Sequence, residues 1–317
     1  MAKNKLTKKV LNENWEEILR LKAKGESTTD IAMLFGVPRG SLVARLKKKV
    51  ISNTPANPTS RTLIIDIENA PMLSYHWGIY QQDIGKPMRV EGNRSYMMSC
   101  AMGWLDEDKV HYFETRTEDD STLTAKILEF LDEADFVIGH NAKRFDMKKI
   151  NAYAILNNLS PPSPYKVIDT MLMAKQQFSF ERNTLEYLSN ALCTQTKSAH
   201  GKFKGFELWS ECMKGNEEAW AEMKHYNIQD VVATKELYLK LRPWVKGHPN
   251  MVAKSGSEKN RCTTCGSSDI SPHGYHVSNS GKFQQYKCND CGGFSKARKN
   301  LLPKEAKASL LTAIPNG

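Results

Sequence analysis

No apolar run in the 317 residues approaches the roughly 20 needed to cross a bilayer; the longest, around Leu63 to Ile67, has the length of a strand. The basic stretch from Met1 to Val10 leads into a charged helical pattern, so no secretory signal is expected. A cytoplasmic protein without a membrane partner is therefore anticipated. There is no G-x-x-x-x-G-K-[ST] phosphate loop, no G-x-S-x-G nucleophile elbow and no internal repeat. These absences remove nucleotide-triphosphate motors, serine hydrolases and solenoids. Apolar content of 40% with 25% charged residues removes a disordered chain and leaves a folded one. Cysteines are few and odd in number: of seven, four form Cys262-Thr-Thr-Cys265 and Cys288-Asn-Asp-Cys291, and Cys100, Cys193 and Cys212 sit among apolar neighbours as core thiols. An odd count without a signal favours a reducing compartment and a metal site over disulfides.

The formal charge of +10 is unevenly distributed. It divides into +8 over residues 1–61, −4 over 62–247 and +6 over 248–317. Basic ends suit a polyanion and an acidic centre suits bound cations. Two segments rich in Pro, Asn, Ser and Thr or in Gly, Ser and Lys, at 52–61 and 247–260, read as linkers. The predicted organisation is a small domain over 1–51, a central domain over 62–246, a third over 261–300 and a polar tail over 301–317 with an apolar patch at Leu310 and Leu311.

In the first segment Trp15, Ile18 and Leu19 form a helical stripe. A capping box at Ser27 to Asp30 opens a second helix with Ile31, Leu34 and Phe35 inward. After the Gly36-Val37-Pro38 turn, a third helix turns Leu42, Val43 and Leu46 inward and Arg39, Ser41, Arg45 and Lys48 outward. The S-T-T-D-I-A…F-G-V core resembles small helix-turn-helix domains, which implies nucleic-acid binding through Arg39, Arg45 and Lys48. Lysines at 47–49 favour phosphate contacts over base readout.

The central segment begins with a near-continuous apolar strand, Leu63 to Glu68, carrying two carboxylates. A hairpin follows over 97–105 and 110–114, then a helix over 123–131, a buried strand over 135–139, a helix over 147–159 and a strand over 167–170. Helices over 185–192 and 217–241 complete an α/β domain with a mixed sheet covered by helices. Asp66 and Glu68 are two apart on a strand, so they leave the same face. Two adjacent anions at an apolar strand end are costly without a cation. Asp146 lies in the loop after the 135–139 strand, where α/β sheets present their sites, and Asp230 lies within the long helix. Four acids so placed suggest a site for two divalent metals.

Three motifs then carry a resemblance. Asp66-Ile-Glu68, Asn141-x-x-x-Phe145-Asp146 and Tyr226-x-x-x-Asp230 occur in the order and spacing of the DEDD superfamily of 3′-to-5′ exonucleases, over roughly 62–245. The resemblance implies an RNase H-like fold, with two Mg²⁺ or Mn²⁺ ions held by Asp66, Glu68, Asp146 and Asp230. It implies that Asp66 bridges the ions, that Asn141 and Phe145 place the terminal nucleotide, with a core role for Phe145 as the alternative, and that nucleoside 5′-monophosphates are released. One branch of the superfamily uses a tyrosine four residues before the last aspartate, the other a histidine five before it; Tyr226 and His225 satisfy both spacings. A continuous helix puts Tyr226 about 40° from Asp230 and His225 about 140° away. That favours Tyr226 as the group orienting the attacking water. Asp169 reads as structural. Without a polymerase-sized region, the chain resembles stand-alone nucleases of the kind carried by bacteriophages, for which the cytoplasm would be the host's. The basic modules at both ends depart from the minimal family pattern and leave the pathway open.

In the third segment two Cys-x-x-Cys-Gly knuckles, 22 residues apart, offer four thiolates to one tetrahedral Zn²⁺. With strands expected around 274–277 and 283–286 the segment resembles a zinc ribbon, and His273 and His276 are either spare ligands or, with four cysteines present, ordinary loop residues. Lys282, Lys287, Lys296, Arg298 and Lys299 with Tyr275, Phe283 and Tyr286 suit nucleic acid, and Lys282 and Lys287 are taken as contacts. The leading expectation is a metal-dependent 3′-to-5′ exonuclease on DNA, with replication or recombination proteins as candidate partners. An RNA-trimming or structure-specific nuclease, or a non-catalytic DNA-binding regulator or recombination accessory, are the alternatives.

Overall fold

In the computed structural model the described residues are 60–78, 80, 81, 83–195, 201–253 and 260–311, with 10, 14, 17, 18, 20, 21, 27–39, 41 and 42 near the start. The chain separates into two compact units, 1–53 and 54–317.

In the first unit, helix α1 spans Thr28–Leu34 and is capped by Ser27, whose Oγ accepts from the Asp30 N–H at 3.1 Å. Gly36 adopts φ 61°, and the Val37 N–H returns to the Ala32 carbonyl at 3.0 Å to close the helix. Ile18, Ile31, Ala32, Val37 and Leu42 form a small buried cluster with Phe35 at its edge. Leu34, expected inward, is 68% exposed. Ile31, Phe35 and Ala32 occupy one 100° arc of the helix, and Leu34 lies about 110° from its centre. Arg39 is exposed; Arg45 and Lys48 lie outside the described residues.

The second unit is built on a five-stranded mixed sheet. Its strands are β1 (Thr62–Asn69), β2 (Met97–Trp104), β3 (Val110–Glu114), β4 (Phe136–Gly139) and β5 (Lys166–Asp169), in the order β3-β2-β1-β4-β5. The first three are antiparallel neighbours; β4 runs parallel to β1, and β5 parallel to β4. Helices α2 (Ser121–Glu133) and α3 (Asp146–Leu156) cover one face. The helices α4 (Thr170–Gln177), α5 (Leu185–Leu192) and α7 (Glu217–Leu241) cover the other, and α6 (Glu207–Met213) precedes α7.

The period-two alternation of β1 decides which face receives the acids. Leu63, Ile65 and Ile67 pack with Ile127, Leu131 and Ile150 of α2 and α3. Ile64 points to the opposite core, with Val231, Leu237 and Tyr238 of α7. Asp66 and Glu68 continue the Ile64 side and therefore face α7. A further cluster, joining Ala70, Tyr96 and Met98 to Leu208, Trp220, Met223 and Tyr226, closes this end of the sheet.

The 247–260 stretch, expected as a linker, is packed over its first part. Met251 is 7% exposed within the α7-side core. Its N–H donates to the Thr263 carbonyl at 2.8 Å and its carbonyl accepts from Ser60 Oγ at 2.6 Å. His248 Nδ1 donates to the Pro249 carbonyl (2.8 Å), which leaves Nε2 to accept from the Tyr238 hydroxyl (3.0 Å). Burial pushes the His248 pKa down to about 4. One apolar side chain, one neutral imidazole and two hydrogen bonds thus anchor residues 248–251, which have no periodic pattern.

Beyond it, β6 (Ile270–Ser278), β7 (Gly281–Cys288) and β8 (Phe294–Asn300) form a second, antiparallel sheet, followed by the short helix α8 (Lys304–Ala308). Among the described residues no helix is long and apolar enough to cross a membrane.

Candidate active site and metal centres

Ligand oxygens of Asp66, Glu68 and Asp230 all lie within 4.8 Å of one another. Three carboxylates that close repel by about 3 kcal/mol per pair at an effective dielectric near 20. Two long-range hydrogen bonds nonetheless orient the Asp66 and Glu68 carboxylates. Asn227 Nδ2 donates to Asp66 Oδ2 at 2.6 Å, while Asn227 Oδ1 accepts from Ser99 Oγ at 3.1 Å on the neighbouring strand. Trp209 Nε1 donates to Glu68 Oε2 at 3.1 Å, and its ring meets Tyr226 edge-on with centroids 5.8 Å apart. Both donors are neutral, so they orient the carboxylates without cancelling their charge. A donor set of three carboxylates suits a hard divalent cation such as Mg²⁺ or Mn²⁺.

Asp146 stands outside that trio but is tied to it. Its Oδ1 accepts from the Ile67 N–H at 3.3 Å, the amide between the two acids of β1. Burial raises its pKa to about 7, and the Asp169 charge adds to the rise. The loop 140–146 reaches this position because Gly139 permits a close approach: a Cβ there would lie 2.6 Å from that of Ala142 and 3.2 Å from the Ile65 carbonyl oxygen. Asp169 serves as the loop's frame. Its carboxylate accepts the N–H groups of Asn141, Lys143, Met171 and Leu172, joining the loop to the start of α4. Asn141 takes φ 66°, a left-handed conformation that Asn tolerates. Phe145 is 42% exposed at the head of α3, which removes a core role.

On α7 the helix is continuous through the third motif. Tyr226 is buried on the Asp230 side and His225 is exposed. Asn227 and Trp209 had no signal in the sequence. Asn227 neighbours Tyr226 on the helix, and Trp209 lies in a seven-residue helix without a motif, so only their partners 161 and 141 residues away reveal them.

The cysteines form a second centre. Cys262 and Cys291 Sγ atoms are 3.6 Å apart, as are those of Cys265 and Cys288, and all four lie within 4.8 Å of one another. A disulfide requires about 2.05 Å. A tetrahedron with Zn–S near 2.3 Å gives about 3.8 Å between sulfurs, so four thiolates fit one Zn²⁺. Each knuckle closes through glycine: Gly266 (φ 78°) donates to the Cys262 carbonyl at 2.9 Å, and Gly292 (φ 79°) to the Cys288 carbonyl at 3.1 Å. His273 and His276 are not in the cluster, nor in a loop as expected: both lie on β6 and pack on Phe294 and Phe283. Of the remaining thiols, Cys100 and Cys212 are buried and Cys193 is half-buried. Lys282 lies over the Tyr275 ring at 4.0 Å.

A profile described as RNase_H superfamily matches residues 88–242, which include Asp146 and Asp230 but begin after β1. Asp66 and Glu68 thus enter the site by geometry, outside the matched span. The mixed sheet with flanking helices is that of an RNase H-like fold, and it supports nuclease chemistry. Among solved structures the chain is similar to a family B DNA polymerase from the hyperthermophilic archaeon Pyrobaculum calidifontis, at 17% identity and a TM-score of 0.46. That similarity covers 58% of this chain, which spans a quarter (25%) of the polymerase chain. No curated protein matches the chain.

Two predictions follow from the ligand frames. Trp209→Phe keeps the ring against Tyr226 but removes the bond to Glu68; the half-saturating Mn²⁺ concentration, read by electron paramagnetic resonance, should rise about 10-fold or more. An unchanged titration would remove Trp209 from the site. Chelating zinc, or Cys262→Ser, should abolish amide-exchange protection across 261–300 while the protection of β1 and β4 persists. Retained protection in β7 without metal would contradict the assignment.

Proposed function

We propose that the protein is a metal-dependent 3′-to-5′ exonuclease that trims DNA by a two-metal mechanism. The observation that carries this reading is the convergence of Asp66, Glu68 and Asp230 within 4.8 Å, beside a buried Tyr226. Asp66, Glu68 and Asp230 would hold one ion, and Asp66 with Asp146 the second. Bound divalent ions supply charge neutralisation at the phosphate and acidify water. Tyr226, with a hydroxyl whose ordinary pKa is about 10, orients the attacking water as a hydrogen-bonding group rather than acting as a base. Asn141 and the exposed Phe145 face the terminal nucleotide, Phe145 by stacking. Water adds to the terminal phosphorus, the 3′ oxygen of the preceding nucleotide leaves with a proton, and a nucleoside 5′-monophosphate is released.

The basic end modules hold the polymer in this reading. Arg39, Arg45 and Lys48 contact phosphates from a helix-turn-helix, and Lys282 and Lys287 do so from the ribbon. Replication or recombination proteins are the expected company.

The test is a 5′-labelled single strand incubated with Mg²⁺ or Mn²⁺, beside duplex, RNA and branched substrates. Wild type should give a ladder shortened from the 3′ end, and Asp66→Asn should slow it about a thousandfold, as loss of transition-state charge stabilisation does. Internal cuts would favour a structure-specific nuclease, and preference for RNA a trimming one. No metal-dependent release at all would leave a DNA-binding regulator.

A further inference from the structure

Between Glu68 and β2 the chain makes a long excursion, residues 70–96, that the proposed chemistry does not use. Its stem is well tied. Ala70 N–H donates to the Tyr96 carbonyl at 2.8 Å, and Ser95 Oγ donates to the Ala70 carbonyl at 2.7 Å. Leu73 N–H donates to Oδ1 of the buried Asn93 at 2.6 Å, and Asn93 Nδ2 donates to Glu118 Oε1 at 3.1 Å. Further out, Ser74 and Arg89 form an antiparallel bridge, flanked by Tyr75 N–H to the Met88 carbonyl (2.6 Å) and Val90 N–H to the Leu73 carbonyl (3.1 Å).

This paired arm holds three aromatic side chains out in water: Tyr75 at 71% exposure, Trp77 at 102% and Tyr80 at 86%. Rings that would bury large areas in a core or interface are instead exposed at and beyond the outer end of the paired stem. The returning half of the same arm, residues 86–94, lines an open cavity of about 420 Å³ with Lys86, Arg89 and Arg94, and Glu91 is its one acid.

We infer that this arm is a binding site for single-stranded nucleic acid, its rings stacking on unpaired bases and its cationic groove taking phosphates. Two features select this occupant. Flat aromatic faces and a lysine- and arginine-lined groove on one arm match a stacked strand, whereas a protein-interface core is depleted in lysine. The arm also starts two residues after Glu68, so it leaves the sheet at the end where the acids converge. The inference rests on the exonuclease reading for its direction: a strand whose 3′ end sits at the acids would pass its upstream bases along the arm. Duplex ends cannot stack there without melting, which would make the arm a selector for single strands.

The experiment measures binding of the full chain in an Asp66→Asn background, so that the strand is not consumed, by fluorescence anisotropy of a labelled twelve-nucleotide thymidine oligomer. Each ring is expected to contribute about 5- to 100-fold in affinity. Trp77→Ala combined with Tyr80→Ala should therefore raise the Kd by about 25-fold or more, with unchanged melting temperature. The same pair should change the Kd of a thymidine dinucleotide, too short to reach the arm, less than twofold. Leu156→Ala, which removes an exposed apolar group at the far end of α3, should change neither Kd. An unaltered twelve-nucleotide Kd, or an equal loss for the dinucleotide, overturns the inference. So does a dimer that dissociates on Trp77→Ala without change in strand affinity. If strand binding depends on Trp77 yet wild type releases no nucleotides, the nuclease reading falls and the arm stands. If release proceeds and the Kd is unmoved, the arm falls alone.

Discussion

Repulsion among three carboxylates governs the acidic end of the central sheet. Asp66, Glu68 and Asp230 are brought within 4.8 Å, an arrangement that costs folding energy and gains a use only when a cation enters. The surrounding structure is arranged to sustain that cost. Burial of Ile64 and Ile67 on opposite faces of β1 fixes which way the acids point, and a one-residue slip would send them to the wrong core. The β1–β2 register, with Asp66 opposite Ala101 and Glu68 opposite Ser99, brings Ser99 to the Asn227 amide that orients Asp66. Asp146 adds a fourth acid at one remove, bonded to the backbone between the first two.

Much of this was readable from residue order, for physical reasons. Strand alternation places residues two apart on one face, so the Asp66–Glu68 pair declared its geometry. Helical rotation separates Tyr226 from His225 in the same way, and the structure buries the first and exposes the second. The five strands and the long helix appear within a residue or two of their expected bounds, because the buried strands are short, near-continuous apolar runs: β2 and β4 are buried at every position.

What was not legible depends on contacts distant in sequence. Trp209 and Asn227 acquire their roles only when α6 and α7 close over β1. The packed part of 247–260 has no period to read, and its anchors are Met251 in the α7-side core and His248 on Tyr238. Leu34 obeys the helical spacing yet is exposed, while among the described residues Ile31, Ala32 and Phe35 on the neighbouring arc of the helix join the buried cluster. The arm over 70–96 carries few periodic residues, and its interest lies in exposure, which a sequence does not display.

The cysteine centre shows the opposite balance: spacing alone anticipated four sulfurs around one point, because two knuckles leave few other arrangements. The acidic centre is less constrained, and one observation addresses it directly. A crystal soaked in Mn²⁺ and measured for anomalous scattering should show an ion about 2.0–2.4 Å from carboxylate oxygens of Asp66, Glu68 and Asp230. A map in which manganese is absent from those three side chains, or bound only elsewhere, would contradict the account.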